Sequence, residues 1–229
     1  MRNQIASFML AVQFLTRLPV PGWFTYTEAR MAASAAHYPL VGALVGALCS
    51  GVFWGALLIF PLLVSVIIAV AAGLLVTGAF HEDGLADTFD GIGGGHTRDA
   101  ALEIMRDSRL GTYGTLALVA ALALKAATLT ALPAHILLIA FPAAHGLSRL
   151  SSVLTIATSR YVRAEGTGKP VAQGLSLPSL LIATVTGAAI CFAWIYLLPV
   201  APLLYGLIAL AIGHVAMRAF FEFKLKGYT

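Results

Sequence analysis

Charge is what this sequence has least of. Only 10% of its 229 residues are Asp, Glu, Lys or Arg, while 59% are hydrophobic and the mean hydropathy is +0.90. A soluble domain carries about 25% charged residues, so the composition excludes an ordinary soluble fold and indicates an integral membrane protein. Cysteine is nearly missing too. Cys49 and Cys191 lie in separate apolar runs, which rules out a disulfide framework or a cysteine metal motif and leaves both as packing residues. No cleavable secretory signal is expected, because Met1 to Trp23 is interrupted by Gln4, Gln13, Arg17 and Pro19. Internal repeats, low-complexity stretches and nucleic-acid motifs are lacking as well. The net charge of +4 is what positively charged membrane loops produce, and no nucleic-acid partner is expected.

What is present is a series of apolar runs. Residues 3–20 form an interrupted amphipathic run, predicted as an interfacial or half-inserted helix ending at Pro19-Val20-Pro21. Trp23, Phe24 and Tyr26 suit the headgroup region. Runs of about 20 apolar residues, the length a bilayer core requires, follow near 38–60, 62–80, 113–132, 135–157, 178–200 and 201–221. The first carries Gly42-x-x-x-Gly46 and Gly51-x-x-x-Gly55, small-residue faces for close helix packing. The prediction is an all-α polytopic helix bundle, about six transmembrane helices plus the N-terminal helix. Residues 1–229 form one membrane domain, with polar segments at 81–112 and 158–177.

The basic residues sort onto one side of this topology. Arg2, Arg17, Arg30, Arg98, Arg106, Arg109, Arg160, Arg163, Lys169, Lys224 and Lys226 all fall in segments 1–37, 81–112, 158–177 and 222–229. The opposite loops, near Pro61, Pro133 and Pro199, hold no Lys or Arg. The positive-inside rule then puts both termini and both polar segments in the cytoplasm. Lys125, Arg149 and Arg218 lie within spans, where a charge is costly unless it faces the bundle interior or snorkels. Arg218 is near enough to the end to snorkel. Arg149 is favoured for a site, His145 and His214 read as satisfied polar residues of the bundle, and Lys125 suits a site role and a structural one, as partner of a buried carbonyl, equally well.

The concentration of charge in the first polar segment organises the rest. His81-Glu82-Asp83-Gly84-Leu85-Ala86-Asp87-Thr88-Phe89-Asp90-Gly91 runs into Ile92-Gly93-Gly94-Gly95. Asp83, Asp87 and Asp90 stand at i, i+4 and i+7, so a helix projects all three from one face. Crowded carboxylates repel, and a hard divalent cation held through oxygen relieves that repulsion. Magnesium takes one or two carboxylates together with substrate phosphates. Glu82 points about 100° off the stripe and suits a supporting role. Gly93 and Gly94 free the backbone to approach a phosphate. Further along, a surface helix is expected to lay Ala101, Leu102, Ile104, Met105 and Leu110 on the bilayer, before Asp107-Ser108-Arg109-Leu110-Gly111-Thr112-Tyr113-Gly114. Asp107 can extend the carboxylate cluster and Arg109 can pair with phosphate. The loop Ser159 to Pro170 adds Arg163 and Lys169. Acid-plus-metal and basic elements on one side are what phosphoryl transfer needs.

These motifs carry a resemblance. Glu82-Asp83-Gly84-Leu85-Ala86-Asp87-x-x-Asp90-Gly91-x-Gly93-Gly94 resembles the signature of the cobalamin synthase (adenosylcobinamide-GDP ribazoletransferase) family. Gln13-Phe14-Leu15-Thr16-Arg17-Leu18-Pro19-Val20-Pro21, Met105 to Gly114, Ser148-Arg149 and Arg163-x-x-Gly166-x-Gly168-Lys169 are similar to further family segments. The family pattern runs on past a Lys-Leu-x-Gly-Tyr-Thr segment into another apolar helix; this sequence reads Lys224-Leu225-Lys226-Gly227-Tyr228-Thr229 at that point.

The resemblance implies a magnesium enzyme of a prokaryotic inner membrane, with manganese as an alternative metal. Its substrates would be adenosylcobinamide-GDP and α-ribazole or α-ribazole 5′-phosphate. A ribose hydroxyl would attack the phosphorus attached to cobinamide, and GMP would leave. On that reading Asp83 and Asp87 hold the metal, with Asp90 as a further ligand. Asp90, Asp107 and Glu82 are the candidates for catalytic carboxylates, and Gly93, Gly94, Arg109, Arg149, Arg163 and Lys169 bind phosphate. The lipid bilayer is the other partner, and a homo-oligomer is left open. Two alternatives stand beside it. One is a CDP-alcohol-type phosphotransferase of phospholipid synthesis, although Asp87 stands where that pattern has Arg. The other is a cation transporter, although the carboxylates cluster at one surface rather than at the midplane.

Overall fold

The computed structural model describes every residue except Met1, Ala164, Glu165 and Thr167, so those three positions of the basic loop lie outside the described residues. Helix α1 (Arg2–Leu15) is an amphipathic helix whose Ala6, Ser7, Leu10, Ala11 and Leu15 recur at helical spacing and are buried. It stops short of the expected residue 20. Beyond it the Arg17 N–H donates to the Val76 carbonyl (2.7 Å), tying this end of the chain to the bundle. Thr27 caps α2 (Glu28–Ser34) by accepting from the Arg30 N–H (3.2 Å). A 3-10 turn (Ala35–His37) then leads into α3 (Tyr38–Leu57). The first span is therefore the apolar stretch Glu28–Leu57, beginning earlier than expected.

The frame of the molecule is α3 packed on α8 (Ala134–Thr158). Gly42 lies on the His145 backbone and Gly46 on the backbone of Phe141 and Pro142, with no room for a Cβ at either. The first small-residue motif thus lets two backbones meet, and Ser50 Oγ adds a bond across the seam to the Leu138 carbonyl (2.8 Å). Gly51 and Gly55 face open space, so the second motif makes no such contact. Phe53, Val66 and Leu137 fill the core on one side of this seam, Val41 and Val153 on the other.

Helix α4 (Leu62–Thr77) is shorter than the expected 62–80 span. Gly78 and Ala79 are both left-handed, with φ of 65° and 56°. They turn the chain by 87° into α5 (Phe80–Gly94), which carries the acidic motif. After α6 (Arg98–Ile104) come α7 (Thr112–Thr130), α8, α9 (Lys169–Gly174), α10 (Leu177–Leu197) and α11 (Val200–Leu225). Among the described residues, five helices are long and apolar enough to cross a membrane, or six with the bent α4–α5 pair, in agreement with the predicted all-α polytopic bundle. Their outer faces carry side chains such as Leu75, Val119, Phe192, Tyr205 and Ile212 exposed to the surroundings, as lipid-facing helices require.

Of three expectations about polar residues and the surface helix, two are met and one is overturned. His214 Nδ1 is hydrogen-bonded to Ser151 Oγ (2.9 Å), a satisfied bundle histidine. Arg218 donates to the Thr158 carbonyl (2.6 Å) at the end of α8, complementing that helix terminus. The expected bilayer-lying helix is the one overturned. Ala101 and Leu102 of α6 and the following Met105 are buried against Leu225, Ile92 and Phe221, so the apolar face of this short helix packs on protein rather than on lipid.

Candidate active site

Asp83, Asp87 and Asp90 do share a helix, and α5 gives them separate tasks. Asp90 is 8% exposed. Its two oxygens accept the N–H groups of Gly111 (2.7 Å) and Gly114 (2.8 Å), the N-cap residue and third residue of α7. A carboxylate there satisfies two donors that a helix start leaves open and complements the positive end of the helix. Asp90 therefore clasps α5 to α7, with both oxygens engaged.

Asp87 and Asp83, one and two turns back, line a cavity of about 480 Å³ between α5, α8 and the residues Tyr161, Arg163, Gly166 and Gly168. Arg149, Arg163, Ser152 and Tyr161 share its walls. Burial lifts the Asp87 carboxyl above the usual carboxylate range and the neighbouring Asp83 charge lifts it further, while Arg163 opposes both. The acidic stripe and the basic loop, far apart in sequence, thus meet in one hollow.

The guanidinium of Arg149 is 6% exposed and sits on the frame helix α8. Its Nη1 lies 3.3 Å from His145 Nδ1, the His145 carbonyl and Ser148 Oγ, and its buried Nε has no partner. Arg163 donates to the Met105 carbonyl (3.3 Å) through Nη2, and its Nε is likewise buried without a partner. Both cations retain donors for an anionic group. Arg149 also borders a second cavity of about 350 Å³, extending along α4 away from α5. Glu82, Lys125 and His145 line that one, and Glu82 Oε2 is buried without a hydrogen-bond partner. Glu82 thus turns away from the stripe, as its helical angle requires.

The remaining candidates sit apart from these walls. Arg109 is bidentate on Asp107 (2.5 and 2.9 Å to Oδ2), with its side chain 88% exposed. That contact holds the Asp107 carboxyl below its ordinary range. Neither residue lines either cavity. Gly93 lies under the Tyr113 ring and Gly94 beside Ile104, where they let α5 pack closely. Lys169 opens α9 next to Gly168, which does line the main cavity. Sequence reasoning missed Ser152, Tyr38 and Tyr228 as wall residues. Ser152 had a readable signal, a hydroxyl one turn from Arg149 in an apolar helix; the tyrosines had none.

Against known families, the cobalamin-5-phosphate synthase model matches residues 7–229. The chain belongs to the cobalamin-5-phosphate synthase family. Among curated relatives, an adenosylcobinamide-GDP ribazoletransferase of Shewanella frigidimarina is 40% identical over 99% of this chain and 87% of its own length. Enzymes of the same name from Leptothrix cholodnii and Ralstonia pickettii are 43% and 44% identical, over 97% and 82% of this chain and 86% and 74% of their own lengths. No solved structure matches the chain.

In this synthase-family chain, among the described residues, no three His, Cys, Asp or Glu side chains form a ready metal cluster. Two carboxylates on an open cavity wall fit magnesium nonetheless, since that ion completes its octahedron with water and substrate phosphate.

Proposed function

We propose that this protein transfers the cobinamide-phosphate group of adenosylcobinamide-GDP to α-ribazole or α-ribazole 5′-phosphate and releases GMP. The observation that carries the reading is the single cavity in which Asp83 and Asp87 face Arg149 and Arg163, in a chain of this family. A ribose hydroxyl attacks the phosphorus that bears cobinamide. A new P–O bond forms, the bond from that phosphorus to the GMP phosphate oxygen breaks, and the hydroxyl proton passes to a cavity carboxylate or to water. Asp83 and Asp87 would hold a magnesium ion, with manganese as a substitute; bound there, it would neutralise diphosphate charge. Arg149 and Arg163 meet the remaining phosphate oxygens with donors the protein leaves unused, where charge-assisted bonds are strong. Lys169 adds positive charge at the rim. Asp90 serves by fixing α5, and Glu82 by offsetting the charge behind Arg149.

The same reading puts the protein in a prokaryotic inner membrane with the site and both termini in the cytoplasm. The clustering of Arg and Lys on the site's side of the bundle supports that orientation. The test is turnover by the purified chain in liposomes, given adenosylcobinamide-GDP and α-ribazole 5′-phosphate with magnesium or with chelator. Equal amounts of GMP and corrinoid phosphodiester, formed only with metal, are expected. Correctly inserted protein that forms neither product refutes the assignment.

A further inference from the structure

The residues after α11 do not trail away. Lys226 is left-handed (φ 64°) and Gly227 has φ 145°, so the chain reverses and runs beside the basic loop. The Tyr228 N–H donates to the Arg160 carbonyl (2.9 Å), and the Val162 N–H donates to the Tyr228 carbonyl (2.9 Å), a parallel bridge pairing Tyr161 with Tyr228. Arg98 Nε anchors the start of this strap on the Leu225 carbonyl (2.8 Å), and Leu225 is itself 1% exposed. Only glycine fits at 227, because a Cβ there would strike the Arg160 carbonyl.

So much anchoring delivers one side chain. The Tyr228 ring packs edge-on against Tyr161 (centroids 5.5 Å) and lines the cavity of Asp83 and Asp87. Its hydroxyl is buried and bonded to nothing. Tyr38, 4% exposed at the start of α3, lines the same cavity with a buried hydroxyl that makes no well-formed hydrogen bond, the Ser34 hydroxyl lying beside it. Ser34, one turn earlier, donates its own proton to the Met31 carbonyl (2.6 Å). A buried hydroxyl without a bond is destabilising, and native proteins leave few of them. Two in one cavity, opposite two carboxylates, mark a place where a ligand supplies the acceptors.

We propose that Tyr38 and Tyr228 are substrate-binding residues whose hydroxyls donate to ribose or phosphate oxygens of a nucleotide held between them and Asp83–Asp87. The strap after α11 is the device that brings Tyr228 there. This rests on the function proposed above. Burial, reinforced by Tyr161, pushes the Tyr228 phenol up to about 12, so it remains a protonated donor at neutral pH.

The test is Tyr228→Phe and Tyr38→Phe in the liposome assay, varying each substrate separately. Both changes keep the ring and remove only the oxygen. A rise in KM of about tenfold or more is expected, the loss of one hydrogen bond to a charged oxygen. A rise for α-ribazole 5′-phosphate alone assigns the hydroxyl to the acceptor, and a rise for adenosylcobinamide-GDP alone assigns it to the donor. Gly227→Val, which displaces the strap, is expected to reproduce the Tyr228→Phe defect. KM values for both substrates within twofold of wild type in both phenylalanine variants overturn the proposal while leaving the parent activity standing. A wild-type chain that turns over neither substrate overturns both.

Discussion

Replacing Asp90 separates architecture from chemistry on the acidic helix. Its carboxylate holds two backbone N–H groups at 2.7 and 2.8 Å in a position that is 8% exposed, so water has little access to replace these bonds, least of all at the buried Gly114 N–H. Asp90→Asn keeps one acceptor but turns an amide NH2 toward the second N–H. Losing one charge-assisted bond costs about 1.5–3 kcal/mol, or roughly 10- to 150-fold in the folding equilibrium. Asp90→Ala leaves both donors stranded and should cost about 3–5 kcal/mol. The assay is the thermal midpoint of detergent-solubilised protein without metal, followed by size-exclusion recovery after heating, with turnover measured in parallel. Asp83→Asn and Asp87→Asn are the contrast. Each removes one of two repelling carboxylates, so the metal-free midpoint should stay level or rise while turnover collapses. An Asp90→Asn protein that melts like wild type and yet is inactive would falsify the clasp and return Asp90 to the chemistry.

Arg163→Ala removes a guanidinium that keeps free donors in the cavity; a loss of 10- to 100-fold in kcat/KM is expected, about 1.5–3 kcal/mol for a charged hydrogen bond, with the melting temperature nearly unchanged. Gly46→Val should abolish monodisperse folded protein, because the added carbons meet the Phe141 and Pro142 backbone, whereas Gly55→Val, facing open space, should behave as wild type on a sizing column. Glu82→Gln should lower stability, because it leaves Arg149 and Lys125 as two uncompensated cations on the smaller cavity, whereas Lys125→Met, which leaves Glu82 against Arg149 alone, should not. The double variant should lose less than the sum, with a coupling of about 0.5–3 kcal/mol in a double-mutant cycle. Strict additivity would show that the two charges do not interact.

The spans were legible because length and apolarity alone decide them, and Arg218 and His214 behave as isolated polar residues in a bundle should. Asp83 and Asp87 were legible from spacing, since a helical stripe survives whatever the helix packs against. Asp90 was legible as part of that stripe but not in its task, which depends on α7 starting within reach some twenty residues later. The same blindness applies to α6. Its apolar face has the composition of a lipid-facing helix, and only the position of Leu225 shows that protein covers it. Tyr38 and Tyr228 gave no pattern at all, because a cavity assembled from opposite ends of a chain leaves no local period.

The turn at Gly78–Ala79 also has a mechanical meaning. The cations and carboxylates of the site are mounted on different supports. Arg149 rides on α8, locked to α3 by backbone contact at Gly42 and Gly46, while Asp83 and Asp87 ride on α5, clasped by Asp90 to α7. Two left-handed residues join α5 to the end of α4. The gap between carboxylate and guanidinium across the cavity is therefore set by how two separately braced units meet, the α3–α8 seam on one side and the α5–α7 clasp on the other.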